Sequence, residues 1–247
     1  MRIAVAGATG RVGRHVVNVL KARGHDVVAI SRSNGVDVIS CEGLANALVG
    51  VERVIDVTDG PSPEQESATK FFMTAARNLQ TAGEQAGVKW VILVSIIGID
   101  KFTAGYMAAK VVHEKTMLEG PIQIRILRAA QFHEFVAQII DWGKQGEVSY
   151  VPKMLTQLVA ARTVAEALAE LVLDPGSMAP MSEIAGPKPE DLVAAASLLV
   201  SNRGDSLRIE GVSNVADPDR TAYESGALLP SPNATLAGPT FEEWLKK

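Results

Sequence analysis

The sequence has almost no cysteine, few aromatic residues and no excess of positive charge. Its 247 residues include one cysteine, Cys41, which excludes an internal disulfide and favours a reducing compartment. We expect that cysteine to be a small packing residue. The formal net charge of −4 gives no electrostatic reason to expect binding to nucleic acid or to an anionic membrane.

Long apolar runs are also missing. No run reaches the roughly 18 residues that a membrane-spanning helix needs, although 47% of the residues are hydrophobic. The first strand candidate begins at Ile3, which leaves no space before it for a signal peptide. We therefore expect a cytoplasmic protein without a membrane partner. Its length favours one structural unit with a sizeable core, as a monomer or a homodimer.

A glycine-rich turn follows the first apolar run of the chain, Ile3–Ala6. It reads Gly7-Ala8-Thr9-Gly10-Arg11-Val12-Gly13, and apolar residues then recur at helical spacing. Glycines let the backbone approach an anion, and a helix N-terminus offers N–H groups to a pyrophosphate. The spacing is G-x-x-G-x-x-G rather than the more common G-x-G-x-x-G, and the alternative is an ordinary turn. The expected cofactor contacts are Gly7, Thr9, Gly10, Arg11, Val12 and Gly13.

The charge after the second strand candidate is an arginine. The apolar run 27–30 is followed by Ser31-Arg32-Ser33, about 20 residues beyond the glycines, where a dinucleotide fold meets the adenine ribose. A carboxylate there accepts from the 2′-hydroxyl of NAD, whereas an arginine pairs with the 2′-phosphate of NADP. Arg32 therefore predicts NADP(H), with Ser31 and Ser33 as further donors. The alternative is a solvated surface arginine.

Strand and helix patterns alternate along the first half of the chain. Strand candidates at 53–57, 90–97 and 122–127 alternate with helical patterns at 44–49, 64–86 and 106–118. This order predicts an α/β fold with a doubly wound parallel sheet, a Rossmann fold. We expect residues 1–128 to form the dinucleotide-binding core. Residues 129–247 complete the core and add a small C-terminal lobe that selects the substrate.

The second half gives weaker patterns. Helices are predicted over 132–142 and 189–202, and Thr163 to Glu166 reads as a capping box at the start of another helix. Histidine–glutamate pairs occur at 113–114 and 133–134, but neither has the further ligands that a metal site needs. We expect both pairs to lie on the surface or at a pocket rim, with no metal.

A tyrosine and a lysine stand one helical turn apart, at Tyr106 and Lys110. They share a helix face, so the ammonium can stabilise the phenolate and bring the pKa of the phenol closer to neutral pH. The lysine can also hold the ribose hydroxyls of a nicotinamide cofactor. Ser95, near the end of an apolar strand, is expected to orient a substrate carbonyl. The alternative is a surface tyrosine above a lysine that extends to solvent.

Together these motifs resemble the short-chain dehydrogenase/reductase superfamily, and specifically its atypical NmrA-like, NAD(P)H-binding branch. Besides the glycine motif, the resemblance rests on four segments: Val94-Ser95-Ile96-Ile97-Gly98, Tyr106-Met107-Ala108-Ala109-Lys110 with Glu114, Arg125 to Phe132, and Thr240 to Leu245. It implies NADP in an extended crevice, with Thr58 beside the cofactor. It also implies Lys110 on the nicotinamide ribose and Tyr106 as the proton donor.

The motifs favour an NADPH-dependent oxidoreductase that transfers hydride to a small carbonyl, quinone or conjugated acceptor. Gln131 and Phe132, at the start of a predicted helix, are the candidate substrate-pocket residues. One alternative is an NmrA-like regulator that senses NADP without turnover, because the branch also contains such members. A sugar-nucleotide epimerase with tightly held NAD is a third hypothesis, which Arg32 and the short C-terminal half disfavour.

Overall fold

The computed structural model describes residues 1–176 and 179–246. The chain forms two compact units. The first comprises Met1–Ser95, Gly105–Arg128 and Val164–Ser182, and the second comprises Ile96–Ala104, Ala129–Thr163 and Glu183–Lys247. Each unit therefore contains more than one stretch of sequence.

The first unit is built on parallel strands with helices between them. The strands are β1 (Arg2–Ala6), β2 (Asp26–Ile30), β3 (Arg53–Asp56), β4 (Trp90–Ile96) and β5 (Gln123–Ala129). The helices are α1 (Gly13–Ala22), α2 (Leu44–Ala47), α3 (Gln65–Ala86) and α4 (Gly105–Leu118). A short 3-10 turn covers Arg32–Asn34 in this unit, and another covers Ile99–Lys101 in the second unit.

The second half of the chain supplies further helices and strands. Its helices are α5 (His133–Gly143), α6 (Ala161–Leu173), α7 (Leu192–Arg203), α8 (Arg220–Glu224) and α9 (Phe241–Leu245). Its strands are β6 (Lys144–Gln145), β7 (Val148–Pro152), β8 (Leu155–Thr156), β9 (Met181–Ala185), β10 (Glu190–Asp191), β11 (Arg208–Val212) and β12 (Thr235–Leu236).

The central sheet has seven strands in the order β12-β9-β5-β4-β3-β1-β2. The reversal of order at β1 and β3 is the mark of a doubly wound sheet, and it confirms the predicted α/β Rossmann fold. Two small sheets, β11-β7-β6 and β10-β8, complete the inventory for the described residues.

The strands of the central sheet consist largely of apolar residues because helices cover both faces of the sheet. Ile3, Ala4, Val5 and Ala6 of β1 are all fully buried, and Val91, Ile92 and Leu93 of β4 are fully buried as well. Parallel strands flanked by helices on both sides need this unbroken apolar pattern. The main core cluster of the first unit joins these strands to Ala75, Ala76 and Leu79 of α3.

The predicted capping box at Thr163 is wrong, because α6 begins two residues earlier, at Ala161. The Ala161 N–H donates instead to the Oε2 atom of Glu134, 3.1 Å away. A carboxylate from α5 thus satisfies a donor at the start of α6. Helix α7 begins at Leu192 rather than at Pro189, and the Asp191 side chain accepts from the Ala194 N–H.

Two predictions about exposure are also wrong. Cys41 is exposed and has a left-handed backbone with φ of 64°, so it is not a packing residue. The histidines of both histidine–glutamate pairs, His113 and His133, are fully buried, so neither pair lies on the surface. No helix within residues 1–176 and 179–246 is long and apolar enough to cross a bilayer.

Candidate functional site

The glycine turn is packed so tightly that side chains are excluded from it. Gly7 has φ of +81°, and a Cβ atom there would lie 2.6 Å from the Val57 carbonyl oxygen. A Cβ atom at Gly13, where α1 begins, would lie 2.1 Å from the Gly7 carbonyl oxygen. The turn therefore contacts both the first helix and the end of β3 through backbone atoms. Thr9 and Gly10, at the tip of the turn, are exposed to solvent.

The register of the sheet brings three strand ends to the same edge. Ala6 of β1 pairs with Asp56 of β3, and Asp56 pairs with Leu93 of β4. The residues that follow, Gly7, Val57 and Val94, therefore lie in neighbouring positions, directly after β1 and β3 and near the carboxyl end of β4. Ligands of doubly wound sheets bind at this edge.

Lys110 of α4 extends its amino group to this edge. The Nζ atom donates to the Val94 carbonyl oxygen over 3.0 Å and lies 3.0 Å from Nδ1 of His113. Burial lowers the pKa of Lys110, and the carboxylates of Asp56, Asp59 and Glu114 partly oppose that shift. The side chain is therefore a buried amine with two fixed polar neighbours.

Asp56 anchors the other end of the same group of side chains. Its Oδ1 atom accepts from the Thr58 N–H over 2.9 Å, and its Oδ2 atom lies 3.2 Å from Nε2 of His113. Burial alone would raise the pKa of Asp56, but His113 and Thr58 outweigh it and lower the pKa. Asp56 is thus a buried carboxylate.

Tyr106 does not direct its hydroxyl group to Lys110. The hydroxyl donates to Oδ1 of Asp59 over 2.6 Å, and the ring packs edge-on against Phe72, with centroids 5.7 Å apart. Burial and the Asp59 carboxylate raise the pKa of Tyr106. This direction is opposite to the one expected from Lys110 alone, because burial and the Asp59 carboxylate both disfavour the phenolate.

Ser95 lies near the end of β4 and is 1% exposed. Its Oγ atom has no hydrogen-bond partner among the described residues. Buried hydroxyl groups are usually paired, so an orphaned one at a ligand-binding edge needs an explanation. Thr58, expected beside the cofactor, is also buried and follows Val57 against the glycine turn.

Arg32 opens the 3-10 turn directly after β2 and is exposed. Ser31 and Ser33 place their Oγ atoms 3.0 Å apart, on either side of it. Since Ile30 pairs with Ala6, these residues follow β2 at the same edge as the glycine turn. The first unit thus contains every predicted cofactor-binding and catalytic residue.

The predicted substrate residues belong to the second unit. Gln131 is buried, and its Oε1 atom accepts from the Thr156 hydroxyl. Its Nε2 atom has no hydrogen-bond partner among the described residues. Phe132 is half-buried at the N-cap of α5 and bridges to Val159.

Sequence reasoning missed Asp56, Asp59 and His113. A carboxylate that ends an otherwise apolar strand, as Asp56 does, is the signal that could have identified the first of these. His113 carries no such signal, because its partner lies on a strand far upstream.

Residues 7–175 match the model of a family described as NAD(P)H-binding. The chain is 24% identical to Quinone oxidoreductase 2 of Escherichia coli, over 92% of this chain and 82% of that protein. It is 27% identical to the Photosystem II assembly factor Ycf39 of Synechocystis over 65% of this chain. That match covers 56% of Ycf39, a little over half of its length.

Solved structures show the same fold. MoeE5, solved in complex with UDP-glucose and NAD, superposes with a TM-score of 0.74 at 18% identity, covering 100% of this chain and 96% of that one. A nucleoside-diphosphate-sugar epimerase of Staphylococcus aureus gives a TM-score of 0.71 at 16% identity, covering 100% of both chains. At this identity the likeness shows the fold alone.

Proposed function

The chain belongs to the NAD(P)H-binding family, the branch that its motifs resemble, and we propose that it is an NADPH-dependent oxidoreductase. It transfers hydride to a small carbonyl, quinone or conjugated acceptor. The observation that carries this proposal is the position of the Lys110 amino group. Its bond to the Val94 carbonyl oxygen holds it at the strand edge that bears the glycine turn.

The residues at this edge fit a dinucleotide. The close backbone contacts at Gly7 and Gly13 leave no side chain between the turn and an approaching diphosphate. Arg32 follows β2 at the point where the adenosine end of the cofactor is expected, and its exposed guanidinium suits a 2′-phosphate. This supports NADP(H) over NAD(H).

Bound NADPH would supply the hydride, and the side chains of this chain have separate tasks. Tyr106 donates a proton to the oxygen of the acceptor, for which its hydroxyl must leave Asp59. Lys110 binds the hydroxyl groups of the nicotinamide ribose. The orphaned Ser95 hydroxyl donates to the same acceptor oxygen.

Similarity to the Escherichia coli protein named as a quinone oxidoreductase supports quinones as one class of acceptor. The residues expected to select among acceptors are Gln131 and Phe132. A cytoplasmic location and a monomeric or homodimeric state stay predictions from the sequence.

The test is turnover of NADPH with a panel of quinones and ketones. Tyr106→Phe should lower kcat about a hundredfold or more, because proton transfer by a positioned side chain contributes roughly 10²- to 10⁴-fold. Tyr150→Phe, a half-buried tyrosine of the second unit, is the matched control. Turnover that is the same in Tyr106→Phe and in the unsubstituted protein would remove the proposed acid.

One observation favours a second candidate, an NADP-sensing regulator. The bond from Tyr106 to Asp59 keeps the phenol protonated and occupied, which suits a protein that binds the dinucleotide without turnover. Similarity to a protein named as an assembly factor agrees with this alternative. Tight binding of NADP⁺, no turnover with any acceptor and a partner recovered by pull-down would favour the regulator.

A further inference from the structure

Three polar side chains form a line in the interior of the first unit. Oδ2 of Asp56 lies 3.2 Å from Nε2 of His113, and Nδ1 of His113 lies 3.0 Å from Nζ of Lys110. Asp56 and His113 are 0% exposed and Lys110 is 5% exposed. Oδ2 of Asp56 and Nε2 of His113 make no hydrogen bond of normal geometry among the described residues, so their mutual contact at 3.2 Å is the interaction that offsets the cost of burying them. We name these three side chains the Asp56–His113–Lys110 line.

Phe72 of α3 fixes the imidazole ring in the middle of the line. The two rings are stacked, with centroids 4.5 Å apart and planes 18° apart. Nζ of Lys110 lies 4.6 Å from the centroid of the same phenyl ring. The imidazole ring of His113 therefore cannot rotate about its χ2 bond without displacing Phe72, which is fully buried.

Asp56 and Lys110, at the two ends of the line, determine by their hydrogen-bonding capacity which nitrogen of His113 carries the proton. Asp56 is ionised and can only accept, so the nitrogen that faces it, Nε2, carries the hydrogen. Burial and the Lys110 charge lower the pKa of His113, against the opposing effects of Asp56 and Glu114, so the ring is neutral. Nδ1 is then an acceptor and lies 3.0 Å from the amino group of Lys110, whose N–H groups can donate to it.

We infer that Asp56 and His113 are positioning residues that hold the amino group of Lys110 for its task, an inference that rests on the function proposed for Lys110. Asp56 fixes the tautomer of His113, and His113 Nδ1 accepts from Nζ. The Val94 carbonyl oxygen accepts a second hydrogen. Among the described residues these are the two hydrogen-bond acceptors at Nζ, which leaves the third N–H for a ribose hydroxyl.

Other charges near the line do not replace this function. The Asp59 carboxylate acts on Lys110 and accepts from Tyr106, whereas the Glu114 carboxylate acts on Lys110 and His113. Glu114 itself is held by Arg128, whose Nη2 atom lies 2.8 Å from Oε2. Within residues 1–176 and 179–246, His113 is the one residue that presents an acceptor nitrogen to Nζ, so loss of that acceptor leaves a donor facing a donor.

Asp56→Asn tests the inference with little change in shape. The amide oxygen can still accept from the Thr58 N–H, but the amide NH₂ then faces Nε2 and requires it to be an acceptor. The hydrogen of His113 moves to Nδ1 and points at the Lys110 ammonium. Asp26→Asn, at an exposed aspartate of β2, is the matched control.

Two measurements are made on the full chain. Histidine ¹⁵N NMR reads the tautomer, with His113 assigned among the four histidines by its loss in His113→Asn. Calorimetry measures the affinity for NADPH, and steady-state turnover with the best acceptor of the panel measures kcat/KM. We expect the Nε2–H tautomer in the unsubstituted protein and the Nδ1–H tautomer in Asp56→Asn. The kcat/KM of the same variant should fall about a hundredfold, which is the order of loss that a misplacement of about 1 Å causes. The pH profile of its kcat/KM should also shift.

The outcomes separate the inference from the proposed function. An Nδ1–H or doubly protonated His113 in the unsubstituted protein overturns the inference, even if Asp56→Asn does not fold. A switched tautomer with unchanged kcat/KM and an unchanged pH profile overturns it as well. If the unsubstituted protein binds neither NADPH nor NADP⁺, the proposed function fails instead, and the inferred role of the line fails with it.

Discussion

Tyr106 donates its hydroxyl hydrogen to Oδ1 of Asp59 over 2.6 Å, although Lys110 lies one helical turn away on α4. The phenol thus has a carboxylate as its partner, while the lysine has a carbonyl oxygen and an imidazole nitrogen. The two side chains expected to work as a pair are each held by a different third group. Release of Tyr106 from Asp59 is therefore the step that the proposed proton transfer requires.

Replacing that carboxylate should make the phenol more acidic. In Asp59→Asn the negative charge is gone, so one of the causes that raise the pKa of Tyr106 disappears and the pKa falls. Ultraviolet difference spectra at the highest pH at which the protein stays folded detect the added phenolate, with Tyr106→Phe identifying the signal among the three tyrosines. Tyr223, whose pKa burial and two aspartates raise to about 12, is the internal reference. An unchanged Tyr106 titration would show that Asp59 does not control this phenol.

Arg32 should discriminate between the two dinucleotides. Arg32→Ala is expected to weaken NADPH binding roughly ten- to hundredfold, since a hydrogen bond to a charged group contributes about 1.5–3 kcal/mol. NADH binding should change much less, because NADH lacks the 2′-phosphate. Arg2→Ala is the control, as Arg2 lies at the opposite end of the parallel strands from the carboxyl edge. Equal losses for NADPH and NADH would contradict the NADP assignment.

The segment just before α4 should lose stability in acid. Asp219 accepts three hydrogen bonds there: the Thr103 N–H at 2.7 Å, the Thr103 hydroxyl at 2.8 Å and the Ala104 N–H at 2.8 Å. Burial would raise the pKa of Asp219, but these bonds outweigh it and lower the pKa below the ordinary 3.8. A lowered pKa means that the stabilisation is present above the unfolded value and is lost as the pH falls through the folded one.

Asp219→Asn should therefore reduce the free energy of unfolding at neutral pH by about 1.5–3 kcal/mol. The difference in the free energy of unfolding between Asp219→Asn and the unsubstituted protein should become smaller in acid, at pH values below the ordinary pKa of 3.8. Urea unfolding at a series of pH values measures it, with Asp205→Asn, at an exposed position, as the control. A difference that stays constant across the acid range would show that the titration of Asp219 does not contribute.

The contact between Gly13 and Gly7 should not tolerate a methyl group. In Gly13→Ala the new Cβ atom would lie 2.1 Å from the Gly7 carbonyl oxygen, so the turn must shift. We expect a loss of about 1–3 kcal/mol in the free energy of unfolding, as is typical of overpacking, together with weaker dinucleotide binding. Gly176→Ala is the control, because no atom of the described residues lies within 4 Å of a Cβ atom there. Unaltered stability and affinity in Gly13→Ala would disprove the packing argument.

The fold was predictable because its signals are local. The apolar run of β4 and the glycine turn before α1 each specify their structure within a few residues. What failed depends on distant segments. Thr163 has the spacing of a capping residue, but Glu134 of another helix takes that role for α6. The sequence around His113 is typical of a surface residue, and its contact with Asp56 of β3 is not visible from the neighbouring sequence.

The candidate site likewise combines local and distant contacts. The pattern of Tyr106 and Lys110 could be identified from sequence because four residues make one turn of a helix. Their hydrogen-bond partners could not, because Asp59 and Val94 come from other segments of the chain. Sequence therefore shows that Tyr106 and Lys110 lie one helical turn apart, but it does not show which groups surround them.

Calorimetric titration of the full chain with NADPH tests the central claim most directly. The account predicts saturable binding of one dinucleotide per chain, tighter for NADPH than for NADH, and weakened by Gly13→Ala but not by Gly176→Ala. Absence of binding heat at more than one temperature, with either dinucleotide, would contradict it.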